Sequence, residues 1–295
     1  MINILRKYKC EILLDLEDGI QDILHPSNEL ELKKDARFCL INILNQSNNI
    51  RNHQAFSIRI NSYHSLDFQK DIECLCSIDY KWKSIFIPKI DTTHDIQSYL
   101  KKLSKHNIQF EEIVPIIESH KAIENLDQII STNYDGLLKY IFLGHYDYNL
   151  NCNHFPIIEQ NTIEYWKLLE SIIPKLERLN VKFGNSPYSK LNDTNGFKTI
   201  LNNLYSICNL SFGQISLHLK QTRICHMINN QEKNILKCMN TFDLNDNLVF
   251  DARTIKFLFE KYLLKKRGFA LEPDSNSIIT PQEYKLAIKK LNDVE

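Results

Sequence analysis

Nine polar residues close seven short apolar runs in this chain, and their types suit a site that holds a metal together with an anionic substrate. The runs are Glu11–Asp18, Ala55–Asn61, Ser84–Lys89, Ile113–Ser119, Tyr140–Asp147, Val181–Ser186 and Gly213–His218. At or near their ends stand Asp15, Glu17, Asp18, Arg59, Lys89, Glu118, Asp147, Asn185 and His218. Five carboxylates supply hard oxygen donors for a cation, while the arginine and lysine supply positive charge for an acid. A lone carboxylate at a strand end is commonly a helix N-cap or a salt-bridge partner. Glu118 and Asp147 carry more weight, because both follow apolar runs where an unpaired carboxylate is costly to bury.

The elements that must position these residues follow from the runs themselves. Each is short and rich in β-branched or aromatic residues, as buried parallel strands are, and a helical spacing follows it. After the first run, Ser27 or Asn28 can cap a helix with apolar positions Leu32, Ala36, Cys39, Leu40 and Ile43. Further helices are expected over 94–106, 121–131, 159–179 and 194–208, each lying between two strands as a crossover must. The alternation predicts an α/β fold, a TIM (β/α)8-type barrel, in which active-site residues sit at the carboxyl ends of the strands. Only seven strands are legible, so the barrel is expected to lack its first strand and to be open or otherwise filled. The barrel domain is expected over residues 1–230. Residues 231–295 should form an all-helical lid or oligomerisation extension, with a helix over 221–240 and a last helix opened by Thr280, Pro281 and the capping-box Glu283.

Composition narrows the partners. Lys plus Arg and Asp plus Glu both total 36, so there is no global field to attract nucleic acid or an anionic membrane. No apolar stretch approaches the roughly 20 residues of a membrane span, and a cytoplasmic location is expected. The 8 cysteines form no C-x-x-C pair, which predicts free, mostly buried thiols such as Cys10, Cys39 and Cys208. His145 and His218 read as core or rim histidines, and Lys265, Lys266 and Arg267 as a basic helix C-terminus.

Six short motifs, in order, resemble those of the citrate lyase beta-subunit and malyl-CoA lyase superfamily, the HpcH/HpaI aldolases. They are Asp15-Leu16-Glu17-Asp18, Lys33 to Arg37, Arg59-Ile60-Asn61, Pro88-Lys89, Glu118-Ser119 and Gly144 to Asp147. The resemblance implies that Glu118 and Asp147 hold Mg²⁺. It further implies that Arg59 binds the substrate carboxylate or a developing oxyanion, that Glu17 and Asp18 orient the groups around it, and that Lys89 lies at the substrate. Asp251, in Asn247-Leu248-Val249-Phe250-Asp251, aligns with the family's lid aspartate, an acid/base group often donated by a neighbouring subunit. The implied partners are a 2-oxo acid or hydroxy acid, a coenzyme A thioester, and further copies of the chain in a trimer or hexamer.

The implied reaction is Mg²⁺-dependent carbon–carbon cleavage, or formation, of a 3-hydroxy acid thioester such as a malyl, citramalyl or citryl thioester. Three departures accompany it. The opening strand has no counterpart, Asn185 stands where an aspartate is usual, and H-P-S-Q becomes His218-Leu219-Lys220-Gln221. They keep two alternatives open: an aldolase or hydrolase acting on a free 2-oxo acid or a carrier-bound substrate, and a catalytically degenerate scaffold.

Overall fold

The computed structural model describes residues 5, 7, 8, 10–46, 55–229, 250–264 and 268–293. Seven parallel strands pair in strict chain order: β1 (Ile12–Asp15), β2 (Phe56–Arg59), β3 (Trp82–Ile87), β4 (Phe110–Ile117), β5 (Tyr140–Leu143), β6 (Lys182–Asn185) and β7 (Gly213–Gln214). They curl into a half-barrel. Among the described residues β1 and β7 are its edges and do not pair with each other, so the α/β barrel is open, with the seven strands that the sequence shows. Register does the first work of assembling a site, because it sets Asp15 directly beside Arg59 and Ile117 beside Leu143.

Crossover helices cover the outer face: α1 (Glu29–Gln46), α2 (Leu66–Cys76), α3 (Thr93–Lys105), α4 (His120–Glu124), α5 (Leu126–Ser131), α6 (His145–Asn151), α7 (Ile163–Arg178), α8 (Thr194–Ile207) and α9 (Leu219–Asn229). The helix expected over 121–131 is broken at Asn125, which caps α4 and opens α5. In α2 the buried Phe68, Ile72 and Leu75 stand at helical spacing among charged residues. Its N-cap is Ser65, whose hydroxyl accepts the Asp67 N–H. The main core lies between sheet and helices around Ile58, Trp82, Ile85, Trp166 and Phe197. A smaller cluster of Phe86, Val114, Ile116 and Phe142 fills the barrel interior.

Helix α1 buries a face other than the one its apolar spacing suggests. Lys33, Arg37, Leu40 and Leu44 point inward, while Ile43 and Cys39 are exposed. The two cations are buried because partners meet them. Lys33 Nζ lies 2.7 Å from Asn61 Oδ1, and Arg37 reaches Asp71 and Asp67 at 2.8 Å each. Asp71 in turn accepts the Asn61 backbone N–H at 2.7 Å, so the loop just after Arg59 is tied to α1 and α2 behind the sheet. Removing one member of such a buried pair costs about 3–5 kcal/mol. The expectation of mostly buried thiols is corrected with it: Cys74 is buried, Cys39 and Cys76 are exposed, and Cys10, Cys152, Cys208 and Cys225 are half-buried. Cys238 lies outside the described residues.

The C-terminal region is not all helical. Between α10 (Ala252–Tyr262) and α11 (Pro281–Asn292) it inserts an antiparallel hairpin, β8 (Ala270–Leu271) with β9 (Ile278–Ile279). Strands of two residues are too short to leave a periodicity, and the turn between them is made by Glu272, whose carboxylate accepts the N–H groups of Asp274 and Ser275. Thr280 and Glu283 form the expected capping box, with Pro281 at the first helical position. The expected helix over 221–240 is seen as far as Asn229. Residues 230–240, the boundary at 230, Asn247 to Val249, and Lys265, Lys266 and Arg267 lie outside the described residues.

This cap lies on its own barrel. Ile278 donates its N–H to the Ser189 carbonyl at 3.0 Å, and Leu191 donates to the Asn276 carbonyl at 3.3 Å. Gly268 passes so close to the loop after β1 that a Cβ there would stand 2.5 Å from the Asp18 carbonyl oxygen. Ile23 and Phe155 pack against the cap's own core of Ile255, Phe259, Ala270 and Ile279. Among the described residues no helix is long and apolar enough to cross a membrane.

Candidate active site

A cavity of about 500 Å³ opens at the carboxyl ends of the strands, roofed by the cap. Asp15, Asp18, Arg59, Glu118 and Asp147 form its charged wall. Opposite stand Phe142, Ile215, Leu217 and Leu191, with Leu264, Phe269, Leu271, Ile278 and Gln282 contributed by the cap.

Arg59 is the hinge of the charged wall. Its Nε and Nη2 donate to the two oxygens of Asp15 at 2.8 and 2.6 Å, and its Nη1 lies 3.1 Å from Glu17 Oε2. Asp15 is further fixed by the N–H groups of Glu17 and Gly19. Burial works against its charge, yet Arg59 holds its carboxyl below the ordinary value. Of the five guanidinium N–H donors, three meet these carboxylates, and two remain for a ligand.

Glu118 follows β4 directly and is buried, with the backbone N–H of Lys89 donating to its Oε2 at 3.1 Å. It packs against Gly144, the residue just after β5. A Cβ at that glycine would lie 2.5 Å from Glu118 Cγ, so glycine is what lets Glu118 reach the cavity. Asp147 follows in the first turn of α6. Burial, followed by the charges of Asp147, Glu17 and Asp18, pushes Glu118 well above its ordinary value. Burial and Asp18 push Asp147 up to about 6, and burial and Asp18 push Glu17 up to about 7. Lys89, with its backbone at φ 56, brings Nζ to 3.2 Å from Glu17 Oε1, an ion pair short of a directed hydrogen bond. Burial alone would lower its pKa, but Glu17, Asp18, Asp147 and Glu118 raise it.

These groups fit a divalent cation. Five carboxylates face two cations, and Glu118 and Asp147, raised first by burial and then by neighbouring carboxylates, would be relieved by an added cation. The donors are hard oxygens on two adjacent strand ends, enough for Mg²⁺, which keeps waters and takes further ligands from its substrate. Among the described residues no three His, Cys, Asp or Glu side chains converge as a closed protein cage would require. The chemistry suggested is polarisation of an oxygen-rich acid beside a guanidinium.

Other sequence candidates fall elsewhere. Asn185 is buried beneath the cavity in a neutral network, donating to Gln214 Oε1 at 2.7 Å and to Gln160 Oε1 at 3.2 Å. His218 caps α9, its Nδ1 accepting the Lys220 N–H. His145 is fully buried against the Tyr146 ring, and burial pushes it down to about 3. Asp251 is the exposed N-cap of α10, accepting the Thr254 N–H at 2.8 Å, and it lines a separate surface groove. The residue that sequence reasoning missed is Gln282. It was legible only as the second residue of a capped helix, yet its Nε2 donates to Asp147 Oδ2 at 2.8 Å and to Asp18 Oδ2 at 3.3 Å.

The chain is an open β/α half-barrel with an acid-rich site at its strand ends. Residues 1–194 match the family model described as HpcH/HpaI aldolase/citrate lyase, and the chain belongs to that family. No curated protein matches the chain. Among solved structures it is similar to Haloferax volcanii malate synthase in a pyruvate/acetyl-CoA ternary complex, at 14% identity over 99% of this chain and 85% of that one, with a TM-score of 0.70. It is also similar to the citrate lyase beta subunit from M. tuberculosis complexed with oxaloacetate and magnesium, at 14% identity over 74% and 86%, TM-score 0.55. RipC from Yersinia pestis matches at 14% over 76% and 90%, TM-score 0.58. At that identity the likeness is one of fold, and in the malate synthase it extends through the cap.

Proposed function

We propose that this chain is a Mg²⁺-dependent carbon–carbon lyase that cleaves, or in reverse forms, a 3-hydroxy acid thioester, with a 2-oxo acid and an acyl thioester on the other side. The observation that carries the reading is the convergence of Glu118, Asp147 and Arg59 on one cavity, within the stretch that matches the family. Glu118 and Asp147 would hold Mg²⁺, which when bound polarises the oxygen that becomes the carbonyl of the 2-oxo acid. In cleavage that hydroxyl gives up its proton, the carbon–carbon bond breaks, and its electron pair passes to the α-carbon of the thioester as an enolate. A proton then completes the acyl thioester. Arg59, clamped by Asp15 and Glu17, directs its two remaining N–H groups at the acid's carboxylate or the enolate oxygen without reorganising. Lys89 draws the acid toward the site.

Asp251 is proposed as the group that moves the proton. It is exposed on the cap, so it would serve the site of a neighbouring copy in a homotrimer or homohexamer. Glu118→Gln and Asp147→Asn, folded as judged by circular dichroism and melting, should lose cleavage of malyl- and citramalyl-coenzyme A by at least about 100-fold. Full activity in both would overturn the site.

A further inference from the structure

We infer that Gln282 is a positioning residue of this site, a neutral latch through which the cap holds Asp147 and Asp18 in register, so that cation binding and cap closure are coupled. The inference rests on the reading of Asp147 as a metal ligand. Gln282 is the second residue of α11 and only 5% exposed, and its amide nitrogen spans carboxylates that come from the ends of β5 and β1. Of the polar cap residues on the cavity wall, Thr280 uses its hydroxyl on the Glu283 backbone N–H and carboxylate. Gln282 is the one that reaches across to the barrel.

Packing alone does not account for an amide at this position. The surrounding cap wall is apolar, with Leu271, Ile278 and Pro281 beside it, and a buried amide is favourable only where its hydrogen bonds are met. A methionine would cover the same area without that requirement. What the amide adds is direction: it engages Oδ2 of Asp147 and leaves Oδ1 to a cation, and, being uncharged, it does not compete with the cation for the carboxylates. It also restrains Asp18, whose Oδ1 is bonded by the Gln21 amide, so Asp18 and Asp147 are both oriented by neutral donors. A partner that fixes a ligand carboxylate typically changes metal affinity by about 10–100-fold. By linkage, a cation that prefers the latched carboxylate must in turn favour the closed cap.

The test uses full-length protein with Gln282→Met, which removes the amide and keeps its length, and Tyr284→Phe, which removes the bond from Tyr284 to Glu260 at 2.9 Å within the same cap. Mg²⁺ affinity is read by calorimetry, and amide hydrogen exchange is followed over β8, β9 and the first turn of α11. The expected result is Mg²⁺ binding weakened about 10–100-fold in Gln282→Met and within about twofold of wild type in Tyr284→Phe. Mg²⁺-induced protection of the cap should be present in wild type and absent in Gln282→Met. Equal Mg²⁺ affinity in Gln282→Met and wild type would overturn the latch and leave the metal site standing, as would an equal loss in both variants. Absence of Mg²⁺ binding in wild type would overturn the metal site and the latch together.

Discussion

The two walls of the cavity are built on different principles. The wall from β1, β2, β4 and β5 is charged: Asp15 and Arg59 are clamped together, while burial and the neighbouring acids hold Glu118 and Asp147 above their ordinary values. The wall from β6, β7 and the cap, with Phe142 of β5, is neutral, made of apolar side chains, with an amide network around Asn185 behind it. On the proposed reading, affinity for a cation and an acid would reside on one side, while the other side shapes the volume. Substitutions on the two walls should therefore separate by what they damage.

The largest effect is expected for Arg59→Leu. It leaves Asp15 and Glu17 facing each other without their cation, at a cost of about 3–5 kcal/mol in stability, and it removes the substrate's donor, so activity should fall by at least about 100-fold. Thermal melting and turnover read the two losses. On the neutral wall, Gly184→Ala should do the reverse. Its Cβ would stand 2.2 Å from the Phe142 ring, and overpacking there should cost about 1–3 kcal/mol by denaturant titration while Mg²⁺ binding survives. Equal loss of Mg²⁺ binding in both variants would erase the distinction between the walls.

The charged wall was legible in the sequence because a charge ending an apolar run is conspicuous, and because motif spacing put Glu118 and Asp147 in order. The neutral wall was not. Phe142, Ile215 and Leu271 are ordinary core residues by type, β8 and β9 are too short to leave a pattern, and nothing near Gln282 signals a partner 135 residues away. Helix α1 misled for a related reason: Lys33 and Arg37 are buried only because Asn61, Asp67 and Asp71 meet them, and such partners cannot be read from a helix alone.

A smaller effect on the same comparison is the response to pH. Asp147 titrates near 6 and Glu17 near 7, beside Asp18, Glu118, Lys89, Arg59 and Gln282. Mg²⁺ affinity should fall about tenfold per unit as pH drops below about 6, because a proton must leave before the cation binds. Without metal the sign inverts. Unfolded carboxylates release their protons near 4 while these hold them to 6 or 7, so melting temperature should decline from about pH 4 to 7, and Mg²⁺ should reverse the decline. The smallest effect is expected at the cap's helix start. Thr280→Ala loses a capping box for about 1 kcal/mol, a shift of roughly 2–4 °C in melting, with the charged wall untouched.

The central claim is that the charged wall is a working cation and acid site, and calorimetric titration of Mg²⁺ at pH 7.5, with and without oxaloacetate, tests it most directly. The account predicts saturable Mg²⁺ binding that tightens with the acid, and acid binding that requires Mg²⁺, both lost in Glu118→Gln. Acid binding without Mg²⁺, or binding unchanged in Glu118→Gln, would contradict it.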